Sequence, residues 1–246
     1  MRLKEKVALI TGAGGDLGRG MALRFAEEGT KVMVNDKNLG KAQETVDLVT
    51  KKGGVAAPNG ADLTKAEEVK EMVGQVIREW GRLDILVNNA GDIRDALLTK
   101  MSDKDWDFVV DLNLKASFLC ARAVAPHMIE RGYGKIVNIS SMAYKGNIGQ
   151  TNYVAAKAGV VGLTQALGLE LARYGINVNC VAPGLIDTPK ARTLDEKVLD
   201  ILVKKTPMRR MGEIIDISNA VLFLVSDESK YITRQMIHVS GGMEGF

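Results

Sequence analysis

Tyr153 and Lys157 stand four residues apart in Thr151 to Arg173, a stretch rich in Ala, Leu and Gly that is patterned as a helix. That spacing puts a phenol and an ammonium on one helix face. A free phenol has a pKa of about 10 and is a poor base at neutral pH. A neighbouring cation favours the phenolate and lowers that value. A serine hydroxyl beside the pair would complete a site that moves a proton to or from a substrate oxygen. Ser140 and Ser141 lie just upstream, after the apolar run Lys135 to Ile139.

A second group sits near the N-terminus. Val7 to Ile10 is a short apolar run, and it leads into Thr11-Gly12-Ala13-Gly14-Gly15-Asp16-Leu17-Gly18. Glycines let backbone approach a pyrophosphate closely. A following helix adds free N–H groups and the positive end of its dipole. Asp36 ends the next apolar run, 24 residues beyond Gly12. An acid there accepts hydrogen bonds from the adenosine ribose and repels a 2′-phosphate, which favours NAD over NADP. No Lys or Arg lies between Gly12 and Gly18, and that points the same way.

These groups need a scaffold, and the chain alternates strand and helix patterns from start to finish. Strands are expected at 7–10, 31–35, 55–58, 85–87, 135–139, 176–181 and 235–239. Helices are expected at 17–28, 41–52, 64–80, 102–131, 151–173, 195–205 and 214–225. Thr64 with Glu67 reads as a capping box, and Ser102 with Asp105 as a helix cap. The alternation predicts βαβ units with right-handed crossovers. The expected fold is α/β: one doubly wound, Rossmann-type domain over 1–246, about seven parallel strands with helices on both faces. Ligands in such folds bind beyond the carboxyl ends of the strands. The glycine turn, Asp36, Asn88-Asn89-Ala90-Gly91 and Ser140-Ser141 all fall there.

Composition excludes other classes. The 246 residues carry 33 Lys+Arg against 30 Asp+Glu, a net charge of +3, with 46% hydrophobic residues. So small and scattered a charge argues against a nucleic-acid or anionic-membrane partner. Cys120 and Cys180 lie far apart in no motif and read as buried thiols of a reducing compartment. No CxxC or HExxH occurs and there are 2 His, so no metal is expected. Neither a signal-peptide core nor a run of about 18 uncharged apolar residues is found. The expected location is cytoplasmic.

Taken together these motifs resemble the short-chain dehydrogenase/reductase family along the whole chain. Thr11–Gly18 looks like that family's cofactor loop, Asp62-Leu63 like its adenine-contacting pair, and Asn88–Gly91 like its NNAG motif. Asn113, Ser141, Tyr153 and Lys157 resemble its catalytic residues. Asn179–Gly184, with Ile186 and Thr188, resembles its nicotinamide-side loop. The resemblance implies hydride transfer between a secondary alcohol and nicotinamide. Tyr153 is then the acid/base, Ser141 holds the substrate oxygen, and Lys157 lowers the phenol pKa. Asn113 would hold a water that relays the proton. The cofactor contacts implied are Gly12, Asp16, Leu17, Gly18, Asp36, Asp62, Leu63, Asn89, Ala90, Gly91, Tyr153, Lys157, Pro183, Gly184, Ile186 and Thr188, for NAD.

Two departures stand out. Asp16 replaces a family glycine, and a carboxylate beside a pyrophosphate is unfavourable unless it points away. The interval from Ser141 to Tyr153 is one residue short, so counting back from Tyr153 picks Ser140, whereas the strand pattern picks Ser141. Ile93, Met142, Tyr144, Ile148, Gln150 and Leu185 are the expected substrate contacts, together with Arg94 and Ile186. Asp187 to Arg210 is the expected mobile lid. The C-terminal stretch from Pro207 is most similar to 3-oxoacyl-carrier-protein reductases, so a 3-oxoacyl thioester reductase stays open beside the alcohol dehydrogenase. Glu130, Gly132 and Tyr174 interrupt the basic surface that such a carrier would need near Arg131 and Arg173. A catalytically silent dinucleotide sensor also stays open. The family implies a homotetramer formed through the long helices, with a small-molecule substrate.

Overall fold

The first strand, β1 (Val7–Ile10), is buried along its whole length, as a strand with helices on both faces must be. The computed structural model describes residues 1–245. The chain continues through α1 (Asp16–Glu27), β2 (Lys31–Asn35), α2 (Leu39–Lys51), β3 (Val55–Asn59), α3 (Ala66–Trp80) and β4 (Ile85–Asn88). It goes on through α4 (Asp103–Val110), α5 (Ala116–Arg131), β5 (Gly134–Ile139), α6 (Thr151–Leu171) and β6 (Ile176–Pro183). The last elements are α7 (Glu196–Lys205), α8 (Ile214–Val225) and β7 (Met236–Val239). All seven strands run parallel in one sheet of order β3-β2-β1-β4-β5-β6-β7. The order reverses between β1 and β4, where a crevice opens at the carboxyl ends.

Alternation along each strand builds two cores. Ala8, Ile10, Val32, Val34, Val87 and Val137 pack with Met21 and Phe25 of α1 and Val221 of α8. Val7, Leu9, Met33, Leu86 and Ile136 pack with Val73 of α3 and Val124 of α5 on the other face. Pro58, which cannot donate to a ladder, is accommodated because β3 is an edge strand.

Two expectations need correction. The run 102–131 is not one helix: Asp111–Lys115 forms a π-helical turn between α4 and α5. Such bulges cluster at functional sites, and this one carries Asn113. The expected capping box at Thr64 is absent. Lys65 is the N-cap of α3, and Thr64 Oγ1 instead donates to Asp62 Oδ1 at 2.7 Å. Apart from these, Thr151–Tyr174 is long and apolar enough to cross a membrane by length and composition alone. A charge-free criterion misses it because Lys157 and Glu170 interrupt the run. Here it is a flank of the sheet. Its buried Asn152 donates to Arg94 O at 3.0 Å, and its buried Lys157 to Ile139 O at 2.9 Å. The Ser102 cap forms, accepting from the Asp105 N–H at 3.1 Å. Cys120 and Cys180 are free and buried.

Candidate active site

A cleft of about 1400 Å³ runs across the carboxyl ends of the strands at the β1/β4 switch point. The glycine turn floors one half. Gly12 has φ +62°, and a Cβ there would lie 2.8 Å from Ala90 Cα. The two loops are stitched together around that approach. Thr11 Oγ1 accepts from the Asn89 and Ala90 N–H groups at 2.9 and 3.0 Å. Asn89 Nδ2 donates to Thr11 O at 2.9 Å. The N-cap of α1, Gly15, offers no side chain, so the helix start presents its N–H groups to the cleft. A Cβ on Gly14 would come within 2.8 Å of Asp36 Oδ2, so the Asp36 carboxylate lies against the turn. These features fit a dinucleotide: a backbone cradle for two phosphates beside a carboxylate for a ribose.

The adenosine end is charged in a defined way. Lys37 Nζ donates to Asp62 Oδ2 at 2.6 Å. Burial would raise the Asp62 pKa, but Lys37 and the Thr64 donors outweigh it and hold the carboxyl at about 2. Asp16 opens α1 and lines the cleft. Its place in the first helical turn suits a carboxylate, although the same place faces the expected diphosphate.

The catalytic end lies beyond β5. Ser141, Tyr153 and the buried Lys157 line the cleft. The Ser140 and Ser141 hydroxyls divide cleanly. Ser140 is buried and donates to Lys157 O at 2.9 Å. Ser141 Oγ accepts from the Ala143 N–H at 3.1 Å, and the hydroxyl acts on the Tyr153 phenol to lower its pKa. Lys157 Nζ sits 5.5 Å from the Tyr153 ring centre and donates to Ile139 O at 2.9 Å. Burial brings the ammonium down to about 8. Burial also pushes the phenol up to about 12, with the Ser141 hydroxyl pulling it down and Asp95 and Asp92 adding to the rise. The expected lowering of the phenol is therefore not what this site produces, because burial outweighs it.

Asn113 does not line the cleft; it lies just behind Gly91. Its Nδ2 donates to Asp92 O at 2.8 Å and Val109 O at 2.9 Å, while its buried Oδ1 has no partner. A Cβ on Gly91 would meet that Oδ1 at 2.3 Å and Lys157 Nζ at 3.4 Å. An orphaned acceptor aimed toward an ammonium is the signature of a place for a polar third party.

Every other cofactor residue expected from the sequence lines the cleft: Leu17, Gly18, Leu63, Pro183, Gly184, Ile186 and Thr188 among them. Of the substrate set, Ile93, Ile148, Gln150 and Leu185 line it. Met142 and Tyr144 do not. Met142 is fully buried in the core, and Tyr144 turns away to contact His238 Nε2 at 3.3 Å. In the tight turn Met142–Lys145, Ala143 alone lines the cleft, a direction that spacing did not reveal. Arg94 instead bonds Asp92 Oδ2 at 2.8 Å. Asp92 and Phe108 line the cleft and were not foreseen, while Lys190, Val198, Ile201 and Lys205 line it from within the expected lid Asp187–Arg210. The last three repeat at steps of three and four on α7, a stripe that was readable in the sequence.

A family model described as enoyl-(acyl carrier protein) reductase matches residues 12–244. The chain belongs to the short-chain dehydrogenase/reductase family. This short-chain dehydrogenase/reductase is 48% identical over 246 residues to the (2S)-((R)-hydroxy(phenyl)methyl)succinyl-CoA dehydrogenase subunit BbsD of Thauera aromatica, covering 100% of the chain and 99% of that protein. It is 46% identical over 241 residues to the 3-oxoacyl-(acyl-carrier-protein) reductase FabG of Staphylococcus epidermidis, covering 97% of the chain and 99% of the relative. The solved structure of levodione reductase superposes with a TM-score of 0.95 at 32% identity, covering 99% of each chain. The short-chain dehydrogenase/reductase described here is thus a nicotinamide-dependent oxidoreductase of the secondary alcohol–ketone pair.

Proposed function

We propose that this enzyme is an NAD-preferring secondary-alcohol dehydrogenase with Tyr153 as its general acid/base. The observation that carries the reading is the convergence of Ser141, Tyr153, Lys157 and Gly91 at one end of the cleft while Asp36 borders the other. Bound nicotinamide supplies the hydride acceptor in oxidation and the donor in reduction. Ser141 Oγ orients the substrate oxygen toward the phenol. Tyr153 takes the alcohol proton in oxidation and returns one to the carbonyl oxygen in reduction. With its pKa raised to about 12, the phenol holds its proton at neutral pH and is poised as the acid. Oxidation needs that proton removed, so it gains from alkaline conditions. Lys157 and the free Asn113 Oδ1 offer the route by which the proton leaves.

The preference for NAD rests on two carboxylates. Asp36 faces the place of the ribose hydroxyls, and Asp62 ties up Lys37, the cation next to it, at 2.6 Å. A 2′-phosphate could then draw on Lys37, the cation next to Asp36, only at the cost of that ion pair.

A hydroxyacyl thioester as the alcohol is the second reading. Val198, Ile201 and Lys205 of α7 give the open side of the cleft an apolar wall with a cationic end. The Thauera relative's printed name supports the same class. Arg131 ends α5 and Arg173 lies in the turn that follows α6, next to where β5 and β6 begin, and both so lie away from this chain's own cleft.

Self-association through α5 and α6 is part of the proposal. Ala155, Ala158, Gly162, Ala166 and Leu169 lie exposed along one face of α6, and Phe118 of α5 is 41% exposed. Small residues in such steps let two helices approach closely, and a homotetramer is the expected product. A cytoplasmic location is proposed with it.

The test is turnover on a panel of aliphatic, cyclic and aryl secondary alcohols with NAD or NADP, beside 3-oxoacyl thioesters with NADPH or NADH. Faster thioester reduction with NADPH than alcohol oxidation with NAD would overturn the first reading.

A further inference from the structure

We infer that the ion pair between Lys190 and Asp92 is a latch holding the segment Thr188–Lys205 closed over the substrate end of the cleft. The segment has little else to hold it. Neither the turn Ala191–Thr193 nor α7 contains a buried residue. The apolar side of α7 faces the cleft with nothing packed beneath it: Val198 is 45% and Ile201 is 53% exposed. Elements with so few buried contacts lie at the low-stability end of a fold.

The polar contacts single out one link. Among the described residues, Thr188–Val203 makes one hydrogen bond or ion pair to any residue outside 187–210. It is Lys190 Nζ to Asp92 Oδ1, at 2.9 Å, across 98 positions of sequence. The other polar ties of this stretch stay inside it, such as Arg192 to Asp187 at 2.6 Å.

The anchor is well fixed. Asp92 follows the Asn88–Gly91 motif, accepts from its neighbour's Ile93 N–H at 2.9 Å and from Arg94 Nη1 at 2.8 Å. Burial would raise its pKa, but Lys190, the Ile93 N–H and Arg94 outweigh that and keep the carboxyl below its usual value. The Asp92 carbonyl also accepts from Asn113 Nδ2. The lid therefore docks on the residue that orients the free Asn113 Oδ1. Lys190 is a positioning residue: it closes an apolar wall on the substrate and loads the loop beside the proton route. A half-exposed pair is weak, which suits a latch that must open in every cycle.

Only the effect on turnover rests on the proposed reading of the cleft, so the latch is tested first without substrate. Full-length protein is treated with trypsin, and cleavage is scored at the Lys197–Val198 bond. K190E should raise the rate about two- to fivefold over wild type, and K190R should stay within about twofold of it. Raising salt from about 0.1 M to about 1 M shortens the screening length from about 10 Å to about 3 Å. It should speed cleavage of the wild type and should not speed that of K190E, whose repulsion from Asp92 salt screens instead. The salt series on the wild type stands even if K190E fails to fold. Equal cleavage of K190E and wild type, or a wild type indifferent to salt, would overturn the latch. With the latch supported, K190E should raise KM for the alcohol while NADH binding stays constant. An unchanged KM would count against the substrate reading of the cleft and not against the latch.

Discussion

Lys157 Nζ stands 5.5 Å from the centre of the Tyr153 ring and points past it to the Ile139 carbonyl, 2.9 Å away. The one-turn spacing does bring phenol and ammonium together. It does not by itself make the phenol acidic, because both groups are buried and burial disfavours the charged form of each. The phenol stays protonated and the ammonium becomes easy to deprotonate, at about 8.

That burial has a measurable cost. The Lys157 pKa falls from 10.5 to about 8 in the folded protein. A lowered lysine destabilises the fold most below the folded value, where both states are charged, and the penalty fades as pH rises from about 8 towards 10.5. Lys157→Met should therefore stabilise the cofactor-free protein at pH 7 by on the order of 2–3 kcal/mol. The gain should shrink through that alkaline window while turnover is lost. Urea melts of both proteins across pH check it; a gain independent of pH would contradict the assignment.

Asp36→Ser should move cofactor choice. Removing the carboxylate beside Gly14 removes the repulsion of a 2′-phosphate, worth a factor of about ten in the ratio of NAD to NADP efficiency. Steady-state kinetics with the two cofactors measure the ratio. An unchanged ratio would take Asp36 out of the ribose site.

Asp16→Asn should tighten NADH binding about two- to fivefold, since a full negative charge leaves the phosphate end of the cleft. The same change should cost the helix about 0.3–1 kcal/mol, because a first-turn acid favours α1. Fluorescence titration and a thermal melt report the two effects separately. Weaker binding in the variant would mean that Asp16 assists the cofactor.

Much of this was legible in the sequence, for physical reasons. Val7–Ile10 and Lys135–Ile139 read as strands because both of their faces are covered, which forces continuous apolar runs. Gly12 and Asp36 announced themselves because close backbone approach and a terminal acid leave few alternatives. Ser140 and Ser141 differ in three-dimensional direction, which their adjacency in sequence hides: the Ser140 hydroxyl turns inward to Lys157 O, and the Ser141 oxygen accepts from the Ala143 N–H. The same limit explains Met142 and Tyr144, whose turn geometry sets their direction independently of spacing. The π-turn at Asn113 was hidden because its residues suit an α-helix equally well. Asp92 and Lys190 were hidden because their partnership spans 98 positions.

Gly91→Ala tests the closeness of the Asn113 amide. The new Cβ would meet Asn113 Oδ1 at 2.3 Å, so the amide or the loop must move. Turnover should fall about tenfold or more, a loss of about 1.4 kcal/mol in the transition state, with the fold retained by circular dichroism. Full activity would show that the amide's place is not needed.

The central claim is that Tyr153 moves the proton. Tyr153→Phe keeps the ring and removes the hydroxyl. Alcohol oxidation should drop by about 10²- to 10⁴-fold, the usual contribution of a positioned acid/base. NADH titrated into the same variant should bind as in the wild type. Retained turnover in Tyr153→Phe, with that binding intact, would contradict the account.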